Sequence, residues 1–260
     1  MKTALLLSLL ASFLIPGLAG YSIKVTRYQL QDPQSTVVKT QDKQHGVGSD
    51  ELCKICIQFA VESLNILLNL ILEGVVGECG DLCGALAEKT NKITGEICDV
   101  LCALFGIREF IKIIEEADLD PIYYCELLDQ CGYNDNGDAT ITNATVTPKS
   151  GPRGHFIFPM TYVSKNGTST GEVGIFVDTV DGVPVEDVEL NMPQSPGTYN
   201  VEWNLRAEPD PDCDPTQGPC ENWLPGLYNV TIAICAGECG SKHPHSFIYD
   251  EAHLVFEITG

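Results

Sequence analysis

The twelve cysteines of this 260-residue chain constrain its fold more than any other feature. Eight of them lie between residues 51 and 131, in a strongly apolar stretch, and four lie in the more polar second half. Residues 1–19 combine one Lys, an apolar run and small residues, which is typical of a secretory signal peptide with cleavage after Ala19. An even number of cysteines in an exported chain predicts disulfides and an extracellular location.

The composition changes near residue 132, which predicts two domains. Residues 20–50 are polar and are expected to form a flexible leader, 51–132 a helical domain and 133–150 a linker. Residues 151–260 contain β-branched runs separated by Gly, Pro, Asn and Asp, which are typical of strands. The expected fold class is therefore α+β as two separate domains, an all-α disulfide-stapled domain followed by an all-β, immunoglobulin-like sandwich.

The first predicted helix, "ELCKICIQFAVESLNILLNLILEGVVG", is apolar around most of its circumference. Its polar residues recur every three or four positions and form one narrow stripe. A surface helix of a globular domain has the opposite balance, so this helix must bury most of its surface. It is either a fully buried central helix, or part of it faces a lipid, a partner subunit or the other domain. The candidate lipid contacts are Ile57, Val61, Leu64, Leu68, Ile71 and Phe110.

The central cysteines form two pairs with a spacing of four residues, Cys79 with Cys83 and Cys98 with Cys102. If their helices form an antiparallel hairpin, the bonds are nested as Cys83–Cys98 and Cys79–Cys102, whereas parallel helices would give the crossed pairing. Zinc is the alternative use of such cysteines. The helical domain has no His, and export favours oxidation, so disulfides are expected instead.

The "CKIC" motif, the central cysteines and the closing "ADLDPIYYCELLDQC" resemble the saposin-like (saposin B-type) domain family. The resemblance covers Leu52 to Cys131. It implies the pairs Cys53–Cys131 and Cys56–Cys125 together with one central bond, and this chain departs from the pattern by adding a fourth pair. The resemblance also implies lipid binding, membrane perturbation or presentation of lipids to a hydrolase.

The whole-chain arrangement resembles the countin-type proteins, through the signal peptide, the doubled central cysteines and the later segment "AEPDPDCDPTQGPCENWLPGLYNVTIAICAGECGSKHPHS". This resemblance implies a secreted, non-enzymatic signalling factor that acts with other secreted protein subunits in a complex regulating cell-group size and adhesion. The alternatives are a membrane-permeabilising, amoebapore-like effector and a lipid-binding cofactor. No G-x-S-x-G or H-E-x-x-H motif is present to suggest an enzyme.

The net charge of −21 argues against nucleic acid as a partner, because phosphate binding needs clustered Lys and Arg. The segment from Glu51 to Cys131 carries 15 acidic and 5 basic residues, a net charge of −10. An anionic bilayer should repel this domain at neutral pH, and lipid contact should become more favourable as the carboxylates are protonated. Pore formation is therefore less expected than lipid binding or assembly.

The second half contains further candidate sites. Disulfides Cys213–Cys220 and Cys235–Cys239 are expected within their loops, although Cys235, Cys239, His243 and His245 also have a spacing that zinc could use. The loop carrying Glu208, Asp210, Asp212 and Asp214 could hold calcium, but a solvated loop is the simpler interpretation. The prediction is therefore no metal and no cofactor, with an exposed pair of histidines. Potential glycosylation sites are Asn143, Asn166 and Asn229.

Overall fold

The computed structural model describes residues 50–216 and 218–260. The signal peptide expected at 1–19 lies outside these residues, as does the leader expected at 20–50 apart from its last residue, Asp50. Within the described residues, five α-helices are followed by eight β-strands. The helical part thus precedes the strand-rich part, as the sequence predicts.

Local signals in the sequence explain where two of the helices begin. The helices are α1 Asp50–Leu72, α2 Cys79–Lys89, α3 Lys92–Phe105, α4 Ile107–Ala117 and α5 Pro121–Leu127. The side chain of Asn91 caps α3 by accepting a hydrogen bond of 3.0 Å from the Thr94 amide. Asp120 caps α5 in the same way, at 2.8 Å from the Tyr123 amide, and Pro121 occupies the first turn.

The long helix α1 forms the centre of the helical core. Its buried residues Phe59, Leu64 and Leu67 belong to the same apolar cluster as Phe110 of α4 and Tyr124 of α5. The helix is long and apolar enough to cross a membrane by length and composition alone. Because it is also buried in this cluster and bonded to the end of the domain by two disulfides, we assign it to the core.

Six disulfides join the cysteines, and no cysteine in the described part of the chain is free. The pairs are Cys53–Cys131, Cys56–Cys125, Cys79–Cys102, Cys83–Cys98, Cys213–Cys220 and Cys235–Cys239. The first two attach α1 to the end of the helical part. The next two have the nested arrangement of an antiparallel hairpin and join α2 to α3.

The strands form two sheets. They are β1 Thr140–Ala144, β2 Ser150–Gly151, β3 Gly154–Ser164, β4 Gly171–Asp178, β5 Val185–Asn191, β6 Gly197–Ala207, β7 Gly226–Ala236 and β8 Phe247–Ile258. One sheet has the order β1-β3-β6 and the other β2-β8-β7-β4-β5. Neighbouring strands are antiparallel except for β2, which pairs parallel with β8.

Both sheets contribute to one apolar core. In β3, buried residues alternate with more exposed ones, which is typical of a strand with one covered face. Phe156 and Phe158 of β3 contact Phe256 of β8 in the other sheet, with ring centroids 4.4 and 5.7 Å apart. The strand-rich part is therefore a two-sheet sandwich, and its immunoglobulin-like character stays a prediction.

The linker expected at 133–150 is shorter in the structure. Residues 140–144 form β1, which pairs antiparallel with β3, and Ser150 already belongs to β2. The segment that connects α5 to the sandwich therefore ends at residue 139. Because "TITNA" is short and shows no alternation of buried and exposed residues, its sequence pattern does not identify it as a strand.

Candidate functional site

The six residues considered as lipid contacts differ in their accessibility. Ile57, Leu64 and Phe110 are buried in the helical core. The other three, Val61, Leu68 and Ile71, are half-buried and pack against it. In this conformation a lipid would not reach the first three, because all of them are enclosed in the apolar cluster that α1, α4 and α5 form together.

One accessible apolar surface of the helical part lies on α3. Ile93, Val100 and Leu104 are 70%, 63% and 69% exposed. With the half-buried Ile97 they follow a spacing of three or four residues, so they share one face of the helix. This apolar stripe on α3 is a candidate interaction surface, since three large apolar side chains on one helix face are left uncovered.

The three potential glycosylation sites are all exposed residues of the sandwich. Asn143 lies on β1, Asn166 lies in the turn between β3 and β4, and Asn229 lies on β7. Glycans at these positions would lie on the strand-rich part, whereas the α3 stripe belongs to the helical part.

A cleft separates the two parts of the chain. Its volume is about 610 Å³, and it lies between α1, the turn before α5, and the loop that joins β7 to β8. The α1 side is lined by residues that include Ala60, Val61 and Leu64, and the loop contributes Glu238 and His243. The helical wall therefore mixes apolar and polar side chains, with Glu62 and Asp120 among the polar ones, and the wall on the sandwich side is mainly polar.

Asp120 connects the two walls of the cleft. Its Oδ2 accepts a hydrogen bond of 2.6 Å from the Ser241 hydroxyl and lies 3.1 Å from His243 Nδ1. The same nitrogen lies 3.1 Å from the Ser241 hydroxyl. In a catalytic triad the imidazole joins the acid to the serine through its two different nitrogens. Here one nitrogen faces both groups, so the arrangement holds two domains together and does not activate a nucleophile.

The two histidines are only partly exposed, which corrects the expectation that they face solvent. The ring of His243 stacks on Tyr123 with centroids 4.6 Å apart, and the ring of His245 stacks on Tyr133 at 3.6 Å. Nδ1 of His245 also lies 2.6 Å from Asp135. Both histidines of the β7–β8 loop therefore contact residues of α5 or of the segment that follows it.

Two glutamates near this contact have strongly raised pKa values. Burial, followed by the charges of Asp120 and Asp135, raises the pKa of Glu126 to about 8. Burial, followed by the charges of Glu172, Asp120 and Glu186, raises the pKa of Glu238 to about 8 as well. Both carboxylate oxygens of Glu126 are buried without a hydrogen-bond partner among the described residues. The interdomain contact therefore concentrates acidic groups that favour their protonated form.

The described residues contain no group of three or more His, Cys, Asp or Glu side chains placed to hold a metal ion. In the loop considered for calcium, Asp210 and Asp214 accept hydrogen bonds from the amides of Asp212 and Thr216. Cys235 and Cys239, considered for zinc, are bonded to each other. The two aspartates thus already accept hydrogen bonds from nearby amides, and the two cysteine sulfurs are joined in a disulfide.

Sequence reasoning did not identify Asp120, Glu126 and Glu238 as members of one cluster. Asp120 was expected only as a helix cap, and its Asp-Pro dipeptide is the signal for that role. Its contact with His243 joins residues 123 positions apart, so no local pattern indicates it. The stacking of each histidine on a tyrosine depends on the same long-range approach.

Comparison with known proteins identifies similar chains along the whole described region. A family model described as the Countin N-terminal domain matches residues 51–129, and one described as the Countin C-terminal domain matches residues 139–260. Countin-1 of Dictyostelium discoideum is 36% identical over 216 residues, which cover 82% of this chain and 80% of that protein. Countin-3 of the same organism is 33% identical over 214 residues, or 82% and 91% of the two chains.

Among solved structures, the C-terminal domain of wzt is similar to part of the chain. The alignment covers 50% of this chain and 82% of that one, with 14% identity and a TM-score of 0.35. A likeness at this level carries no argument about function.

Proposed function

The chain belongs to the countin family, and we propose that it is a secreted, non-enzymatic signalling factor that acts in an extracellular protein complex. In this proposal the complex regulates cell-group size and adhesion, and its other members are secreted protein subunits. The observation that carries the proposal is the match to both countin domain families, in order, along most of the described chain. Two similar proteins share this span at 33–36% identity.

Secretion is supported by the cysteines and by the sequence of the first residues. Six disulfides leave no free thiol in the described residues, which fits an oxidising compartment. The proposed domain limits are a signal peptide at 1–19, a leader at 20–50 and a helical domain at 51–132. The sandwich domain is proposed for 151–260, extended at its start by β1.

The helical domain is proposed to be saposin-like. Support comes from the first and last cysteines, since Cys53–Cys131 and Cys56–Cys125 attach both ends of the domain to each other. Further support comes from the Asp-Pro start of α5. The second central disulfide is the departure from the saposin B-type pattern, and it gives the α2–α3 hairpin an additional crosslink.

The signalling proposal is tested by removing the protein and then restoring it. Cells lacking the gene should form groups of a different size, and purified disulfide-intact protein added to the medium should restore the normal size. Crosslinking of the secreted protein in conditioned medium should recover other secreted subunits. A monomer in conditioned medium, together with unchanged group size after deletion, would contradict the proposal.

Lipid contact is the second candidate function, and the apolar stripe on α3 is the observation that favours it. Three large side chains exposed on one helix face would be covered by a lipid surface or by a partner subunit. The acidic surface of the domain makes contact with an anionic bilayer less favourable at neutral pH than at acid pH. Lipid contact is therefore expected to be greater at acid pH than at neutral pH.

Vesicle flotation and dye leakage, measured together from pH 4.5 to 7.5, test this second function. The variant Val100→Asp places a charge in the α3 stripe, and Leu227→Asp places one on the sandwich at a residue of matching exposure, 66%. Flotation that Val100→Asp abolishes and Leu227→Asp leaves intact supports lipid contact through α3. Leakage would favour a membrane-permeabilising effector, and the absence of flotation at every pH would show that the stripe does not bind lipid.

A further inference from the structure

The loop between β7 and β8, residues 237–246, is held in place at its start. The Cys235–Cys239 disulfide closes its first turn. The Cys239 amide donates a hydrogen bond of 2.7 Å to Oε2 of Glu172 on β4. The loop is therefore fixed to the sandwich. Its contacts with the helical domain form only when the two domains are docked against each other.

Two aromatic and ionic contacts join this loop to the helical side. His243 lies flat on Tyr123 and 3.1 Å from Asp120, and Asp120 is itself buried at 4% exposure. His245 lies on Tyr133 and 2.6 Å from Asp135. Each histidine thus has one aromatic and one carboxylate partner across the contact.

Acidic groups from several elements surround these pairs. Glu126 of α5 lies close enough to Asp120 and Asp135 for their charges to act on it. Glu238 of the loop is affected in the same way by Asp120 and by Glu172 and Glu186 on β4 and β5. Glu116 of α4 accepts a hydrogen bond from the Tyr123 hydroxyl at 3.4 Å. The loop also contributes one cation to the cleft, Lys242, which is exposed.

We propose that this contact is a proton-operated latch that holds the β7–β8 loop of the sandwich against the helical domain at mildly acid pH and releases the loop as the pH rises. Two buried glutamates drive the latch. While they are protonated, Glu126 and Glu238 add no charge beside Asp120 and Asp135. At higher pH both glutamates gain a charge, so Glu238 of the loop faces the acidic groups of the helical side.

The pH window follows from the two glutamates. In the structure, burial and neighbouring carboxylates raise the pKa of both from the ordinary 4.5 to about 8. The latch requires that opening exposes at least one of these carboxyls to solvent. The closed form then binds more protons than the open form between these values, and its stability relative to the open form declines with rising pH across that range. The latch is closed below about pH 5 and is weakest above about pH 8.

Two other contacts between the domains involve no ionisable side chain and are expected to persist. The Thr170 hydroxyl donates to the carbonyl oxygen of Gly132 at 2.8 Å, beside the Cys53–Cys131 disulfide. Leu190 and Met192 of the sandwich pack against the helical core. Release of the latch therefore frees the β7–β8 loop from α5 without separating the domains completely.

Hydrogen exchange on the full-length, disulfide-intact protein tests the latch. Protection of amides in residues 237–246 and 118–124, corrected for intrinsic exchange, should fall by at least about tenfold between pH 5.5 and 8.5. Amides in the α2–α3 hairpin and in the paired strands β3 and β6 provide the internal reference, since the latch residues named above lie on other elements. Their corrected protection should change much less.

Four variants decide the cause. Glu238→Gln and Glu126→Gln should each reduce the pH dependence at the latch, and the double variant should nearly remove it. Glu62→Gln changes an exposed carboxyl that also lines the cleft and should leave the pH dependence unchanged. Use of two separate glutamates keeps the test decisive if one variant folds poorly.

The latch is overturned by either of two results. One is equal loss of protection at the latch and in the reference regions, which would indicate general destabilisation. The other is a pH dependence that both glutamine variants retain. Neither result affects the signalling proposal, which depends on cell-group size and on the recovery of partner subunits.

Discussion

Gly95 of α3 lies so close to Ala87 of α2 that a β-carbon at residue 95 would be 2.5 Å from the Ala87 Cβ. The carbonyl oxygen of Cys83 would lie 3.1 Å from the same atom. This close approach occurs between the two helices that Cys79–Cys102 and Cys83–Cys98 connect. Because glycine has no side chain, the helices can approach closely enough for both bonds to form.

Replacing this glycine should destabilise the hairpin. Gly95→Ala should lower the free energy of unfolding by about 1–3 kcal/mol, since overpacking forces the two helices apart. Gly84→Ala on α2 is the matched control, because nothing lies within 4 Å of its added β-carbon. It should raise the free energy of unfolding by about 1 kcal/mol, as alanine favours helix over glycine. Urea unfolding of both variants, with disulfides intact, tests whether the free energy of unfolding falls in Gly95→Ala and rises in Gly84→Ala.

Removal of different disulfides should have unequal effects. Cys53 and Cys131 are 78 residues apart, and Cys235 and Cys239 only 4. Because Cys56–Cys125 stays intact and already closes most of the longer loop, the entropy of loop closure predicts a cost of about 2.7 kcal/mol for replacing the first pair by alanine, against about 2 kcal/mol for the second. Urea midpoints of the two double variants test the order. Peptide mapping of the unreduced protein tests the pairings themselves, and a crossed bond between the central cysteines would contradict them.

The hydroxyl of Tyr124 should destabilise the folded protein. It is buried and has no hydrogen-bond partner among the described residues, whereas the Tyr228 hydroxyl donates to the Leu224 carbonyl at 2.6 Å. Tyr124→Phe is therefore expected to raise the free energy of unfolding by about 1–3 kcal/mol, and Tyr228→Phe to lower it by about 1 kcal/mol. Thermal unfolding of the two variants compares them, and a loss of stability in Tyr124→Phe would show that its hydroxyl is satisfied.

Glu126 should make the stability of the whole protein depend on pH. Its pKa of about 8 when folded, against an ordinary 4.5, means that the folded chain holds a proton that the unfolded chain has lost. Its contribution is complete below about pH 4.5 and is lost as the pH rises towards 8. Glu126→Gln should match the wild type at pH 4.5 and exceed it at pH 8.5 by on the order of 1–3 kcal/mol. Parallel curves of stability against pH would contradict this assignment.

Local signals were sufficient for part of this fold. The Asp-Pro start of α5 and the four-residue spacing of the central cysteines concern residues close in sequence, and the helices and the hairpin follow from them. The two-sheet layout follows from strand-like runs separated by turn residues. The short strand β1 was missed because its residues are nearly all exposed or half-exposed and carry no alternation.

The latch and the accessible apolar surface depend on contacts that sequence does not show. Ile57 and Val100 are both apolar residues on helices, yet the first is 2% and the second 63% exposed. Which apolar face is covered depends on how α4 and α5 pack against α1. In the same way, the positions of His243 and Glu238 next to Asp120 depend on docking of the whole sandwich.

The parallel pairing of β2 with β8 has a consequence for the order in which the chain acquires its structure. β2 begins at Ser150, but its partner β8 begins only at Phe247, after every other strand. Synthesis of the intervening ~100 residues takes roughly 5–20 s at typical rates. The helical domain, whose farthest bonded cysteines are 78 residues apart, is complete before that interval begins. During synthesis the helices can therefore fold first, while the larger sheet still lacks β8, the strand that lies between β2 and β7.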